Sequence, residues 1–160
     1  MTENAKRLLF SFVFALVFYV TGAAFVQSFV NYPTWKLIGV GEFQNYHNAM
    51  SPLIIKFMVL PWLSEIVLTV LLFWLRPRVI PVWMVAFALV FNLIILASTA
   101  AIQVPIQVEL GENGLSHQAI EKLLKTDPIR WVSGSLLAFL YLGMMSRVVL
   151  APEDGRDYNR

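Results

Sequence analysis

Few side chains in this sequence can do chemistry inside an apolar setting. Glu65 stands near the middle of an apolar run, Leu53–Leu75. A carboxyl group at bilayer depth costs about 2.5 kcal/mol or more, so it faces protein, a cavity or a partner. Two readings of Glu65 follow. It is a proton-accepting or ligand-binding group, or it is a hydrogen-bonded group that holds helices in register. In the next apolar run, Asn92, Thr99 and Gln103 fall within about 40° of one another at 100° per residue and form one polar stripe. Such groups commonly bond between helices, each worth about 0.6 kcal/mol. Gln103 with Gln107 brackets Pro105, which frees nearby carbonyls. His47 lies in a segment expected to be interfacial, as either a solvated, tyrosine-packed histidine or a ligand. Glu65, Gln103, Gln107, His47, Asn92 and Thr99 are therefore the candidate ligand-binding residues. No catalytic residue is singled out.

The elements that position them follow from composition. Of 160 residues, 58% are hydrophobic and 14% charged, where soluble domains carry about 25% charged residues. Apolar runs cover Leu8–Val30, Leu53–Leu75, Ile80–Ile102 and Trp131–Leu150, each long enough to cross the ~30 Å hydrocarbon layer as a helix. The expected fold is all-α: one integral membrane four-helix bundle over 1–151, with helices at about 8–30, 52–75, 80–103 and 129–150 and a polar tail, 152–160. The first apolar run outlasts the ~7–15 residues of a signal peptide's core, so it is expected to be an uncleaved anchor.

Ser51-Pro52 and Asp127-Pro128 each pair a capping residue with a first-turn proline, and would start helices two and four. Pro61 bends helix two just before Glu65, and Gly22, Ala23 and Ala24 permit close approach of a neighbouring helix. The intervening segments, Asn31–Met50 and Ile106–Asp127, are expected as two long loops carrying short helices near Glu42–Met50 and His117–Lys125. Ser116 would cap the latter, and these helices would cover the mouth of the bundle. Arg76 and Arg78 share a very short connection, where the positive-inside rule weighs most, which puts both termini in the cytoplasm and the long loops outside. That fits a multi-pass membrane protein.

The net charge of +2, with no basic patch among aromatics, gives no case for nucleic acid. Absence of cysteine removes thiol–disulfide chemistry. Neither histidine lies inside an apolar run, so a haem clamped between two membrane histidines is unsupported.

Gln27, Tyr32-Pro33, Phe43-x-x-Tyr46-His47, Pro61-x-x-x-Glu65, Arg76-Pro77, Thr99-x-x-x-Gln103-Val104-Pro105 and Ile129-Arg130 recur in order. This set resembles a family of uncharacterised bacterial four-helix membrane proteins, itself distantly similar to the anthrone-oxygenase-like group of unknown function. The resemblance spans Gln27 to Met145 and implies the four-helix fold. In that family histidines occupy the positions of Ser51 and Gln107, and would complete a His, His, Glu, His metal set with His47 and Glu65. Two remaining ligands are few for zinc or iron, so no metal is assigned and the cofactor stays unknown. Three function classes stay open: a protein or enzyme that binds a lipophilic small molecule in an outward-facing polar pocket, a non-catalytic accessory subunit, and a small proton-coupled transporter. The lipid bilayer is the expected partner, and self-association stays open.

Overall fold

Thr2 accepts a hydrogen bond from the Ala5 amide at 3.3 Å and starts the first of four long helices. The computed structural model describes residues 1–151; the polar tail expected over 152–160 lies outside them. The helices are α1 (Glu3–Leu37), α2 (Val40–Leu75), α3 (Val82–Asn113) and α4 (His117–Leu150). Each contains a stretch long and apolar enough to span a membrane. They form an up-and-down ring in which α1 packs on α2 and α4, and α3 packs on α2 and α4.

The long loops expected at Asn31–Met50 and Ile106–Asp127 are not present. Those segments are helical, but they are the ends of the long helices, and the chain turns only at Ile38–Gly39 and at Gly114–Ser116. Gly114, at φ 78° and ψ −155°, ends α3 in a positive-φ extended conformation open essentially to glycine alone, and Ser116 starts α4 by accepting from the Ala119 amide at 3.2 Å. A helix of 35 residues is about 50 Å long, so α1 exceeds the ~30 Å hydrocarbon layer. Ser51-Pro52 is correspondingly not a helix start. Ser51 donates to the His47 carbonyl at 2.8 Å within α2. Asp127 also makes no side-chain cap, because its carboxylate is taken by Arg130.

Three helices carry a π turn, with the Tyr32 amide reaching Gln27 O, Leu60 reaching Ile55 O and Val104 reaching Thr99 O. Pro33, Pro61 and Pro105 each stand two residues past the end of such a turn. Proline lacks the amide and crowds the carbonyl four residues back, and a widened turn accommodates it without ending the helix. In α4 the corresponding irregularity is the single turn residue Asp127 before Pro128.

Two apolar cores result. Near the termini, Phe10, Val13, Val17, Leu72, Ile80, Val85, Tyr141 and Met144 form a closed core. At the opposite end, Tyr32, Trp35, Phe43, Ile106, Leu110, Ile120 and Leu123 form a second. The connection Arg76–Pro81 is as short as expected: Arg76 donates to the carbonyls of Ile80 (Nε, 3.0 Å) and Phe73, and the Arg78 amide donates to Glu3 Oε1 at 2.9 Å. Phe12, Val67, Trp74 and Phe139 point outward while Glu65, Thr69 and Asn92 point inward. Apolar outside and polar inside is the pattern of helices solvated by lipid, so the chain is an integral membrane protein.

Candidate functional site

Between the two cores lies a layer of polar side chains. Glu65 is 1% exposed. Its Oε1 accepts from Thr69 Oγ1 at 2.7 Å and from Asn92 Nδ2 at 3.1 Å, while Oε2 has no partner among the described residues. The two donors are fixed by their own neighbours. Trp62 Nε1, which can only donate, reaches Asn92 Oδ1 at 3.4 Å and so turns the Asn92 amide toward Glu65. The single proton of Thr69 goes to Glu65, so the Tyr141 hydroxyl, 2.7 Å away, donates to Thr69. Both donor chains converge on Oε1.

Glu65 lines an inner cavity of about 90 Å³, with Val17, Ala24, Phe25, Trp62, Trp131 and Gly134 among its walls. An outer cavity of about 600 Å³ is lined by Trp35, His47, Asn48, Gln103, Gln107 and Glu112, among others. Gln27, Met58, Val59, Thr99 and Arg130 border both. The π turns shape this passage, since Gln27, Met58, Val59, Thr99 and Gln103 all belong to them. Gly22 and Gly134 have nothing within 4 Å of a built Cβ, and Ala24 and Gly134 border the inner cavity. No neighbouring helix therefore comes close at Gly22, and of the small residues Gly22, Ala23 and Ala24 it is Ala24 that borders the cavity.

His47 Nε2 lies 2.9 Å from Gln107 Oε1, leaving His47 Nδ1 and Gln107 Nε2 buried without partners among the described residues. If the amide and the imidazole tautomer both reverse, the pair still presents one donor and one acceptor. Gln103 has a fixed sense. Thr126 gives its proton to the Lys122 carbonyl at 2.8 Å, so Gln103 Nε2 donates to Thr126 Oγ1 at 3.2 Å and Gln103 Oε1 remains free.

Five of the six sequence candidates therefore border the two cavities, but not as a single cluster, and Asn92 lines neither. His47, Gln103 and Gln107 line only the outer cavity, Glu65 only the inner one, and Thr99 both; Asn92 supports Glu65 from behind. The stripe expected along α3 is split: Asn92 turns to α2 and Gln103 to α4. The π turn between them inserts one residue, which rotates the rest of the helix by about 100°.

Sequence reasoning missed Arg130, which entered only through the Ile129-Arg130 motif of the resemblance. It is a largely buried ion-pair partner of Asp127, with Nε 2.9 Å from Asp127 Oδ1 and Nη2 donating to Tyr32 Oη at 3.1 Å. The i,i+3 spacing of Asp127 and Arg130 was the available signal. Thr69 and Tyr141 were also missed; only Thr69, four residues past Glu65, carried a helical spacing clue. Among the described residues, no three His, Cys, Asp or Glu side chains are grouped to hold a metal ion.

Comparison with protein-family models, curated proteins and solved structures finds no match to this chain.

Proposed function

We propose that this protein binds a lipophilic small molecule in the passage between its two cores. The supporting observation is the set of polar atoms, Glu65 Oε2, Gln103 Oε1, His47 Nδ1 and Gln107 Nε2, that are buried beside the cavities without partners among the described residues. An unpaired buried polar atom costs about 1–3 kcal/mol, a penalty that a ligand's polar groups relieve. The volume of the outer cavity lies in the range of small-molecule sites. Residues behind the family resemblance, including Gln27, His47, Glu65, Gln103 and Arg130, border one cavity or the other.

Transport across the bilayer is less well supported. The hydrogen-bonded chain from Glu65 ends at Tyr141, which stacks on Phe10 at 5.9 Å within the closed core near the termini. A purely structural subunit does not account for the unpartnered atoms. The site opens toward the end opposite the termini, which the positive-inside rule makes the outer face. Whether bound chemistry follows binding is the enzyme branch of the same reading.

The test is native mass spectrometry of protein released from mild detergent, comparing the parent with Gly134→Leu. A side chain at 134 projects into the inner cavity. The parent should carry a small molecule that the variant lacks. Identical spectra from folded parent and variant would remove the reading.

A further inference from the structure

The polar groups at the deep end of the passage say what kind of head group it takes. This step rests on the ligand-binding reading above. Glu65 Oε1 accepts from Thr69 Oγ1 and from Asn92 Nδ2, and the sense of the Asn92 amide is fixed by Trp62 Nε1, which can only donate. Any group that meets Glu65 from the cavity must therefore use Oε2, the oxygen without a partner. Two charged residues border the inner cavity, Glu65 and Arg130. The Arg130 charge is already matched by Asp127, which its Nε and Nη2 both engage. The carboxyl of Glu65 has no such cation among the described residues. The rest of the lining is mostly apolar or aromatic, including Phe25, Trp62 and Trp131, with Thr21, Gln27, Ser28 and Thr99 as its uncharged polar members.

We infer that the inner cavity is a site for a lipophilic amine, whose protonated nitrogen donates to Glu65 Oε2 while its hydrocarbon part lies against the apolar and aromatic wall. The pairing satisfies the one unpartnered oxygen and supplies the missing positive charge. Aromatic faces add attraction for a cation. The outer cavity, with both donors and acceptors unpaired, tolerates a second polar group on the same molecule without demanding a charge.

The experiment uses the full chain in maltoside micelles with three probes of equal length: decylammonium, decanol and decanoate. Trp62 and Trp131 border the cavity, so tryptophan fluorescence reports binding. Decylammonium should bind the parent about tenfold or more tighter than decanol, as expected for a charge-assisted hydrogen bond replacing a neutral one. Glu65→Gln should abolish that advantage. Equal or tighter binding of decanol overturns the amine assignment, as does a preference for decanoate, which would point to Arg130. Persistence of the amine preference in Glu65→Gln overturns it too. The three-probe comparison is made on the parent, so it decides the matter even if Glu65→Gln does not fold. Gly134→Leu separates the two readings. If the probes bind the parent without amine preference and fail to bind this variant, the cavity stands and the amine falls. If the variant binds them as the parent does, both fall.

Discussion

The Tyr19 hydroxyl donates to the backbone carbonyl of Phe57 at 2.8 Å, joining α1 to the π turn of α2. That carbonyl would bond the nitrogen of residue 61 in an α-helix, and residue 61 is proline. A side chain on one helix thus satisfies a carbonyl freed on another, which lets α2 continue as one rod past Pro61. Tyr19→Phe keeps the ring and removes the bond. It should lower stability by about 1 kcal/mol in reversible unfolding from micelles. A stability equal to the parent's would show that the π turn satisfies the carbonyl unaided.

Glu65 should respond differently to two substitutions. Glu65→Gln retains an acceptor for Thr69 and Asn92 and should stay near parental stability. Glu65→Leu leaves two buried donors unpaired, at about 1–3 kcal/mol each, and should be destabilised by more than 2 kcal/mol. Denaturant unfolding of the two variants distinguishes these outcomes. If Glu65→Leu is as stable as the parent, the donor chains do not depend on Glu65.

What could be read from the sequence and what could not divides along physical lines. Glu65 and Asn92 were legible because a polar group in an apolar run must be buried, and they meet in the structure. The Arg76–Pro81 connection was legible because charge and proline separate two long apolar runs. The segments 31–50 and 106–127 looked like loops because polarity rises there and Pro33, Pro52, Pro105 and Pro128 resemble boundaries. Three of the four instead follow a π turn or a single-residue turn inside a longer helix, and Pro52 lies within the helical segment Val40–Ile54. A hydrophobicity window cannot distinguish a helix leaving the membrane from a chain that stops being helical. Pairings such as Arg130 with Tyr32 depend on contact between residues far apart in sequence and were out of reach.

Backbone hydrogen exchange tests the helical extensions. Phe43, Ile120 and Leu123 are fully buried in the second core. Amides within Val40–Ile54 and His117–Thr126 should therefore exchange slowly, with fast exchange confined to the turns at 38–39 and 114–116. Exchange as fast across both segments as in the turns would mean that the second core does not form.

Topology can be tested cleanly because the sequence contains no cysteine. Single cysteines at Arg78 and at Glu112 lie at opposite ends of α3's long axis, beside the short connection and the far turn. A membrane-impermeant thiol reagent applied to intact cells should label Glu112→Cys, and Arg78→Cys only after lysis, given cytoplasmic termini. The reverse result would invert the orientation and place the cavity mouth toward the cytoplasm. Labelling of both from one side would contradict a membrane-spanning α3.

Asp127 and Arg130 provide the sharpest test of the polar layer. The pair is shielded, with side chains 4% and 14% exposed, and Arg130 also bonds Tyr32. Asp127→Asn leaves the guanidinium partly buried without a counter-charge, and breaking such a pair costs about 3 kcal/mol. Replacing both partners by apolar residues, Asp127→Leu with Arg130→Met, removes the desolvated charges together and should recover most of that loss. The double variant also removes Arg130, the cation that borders both cavities among the described residues. If the site selects an amine at Glu65, decylammonium should bind the double variant at least as tightly as the parent. A double variant that folds but loses the amine would place Arg130 or Asp127 in direct contact with the ligand.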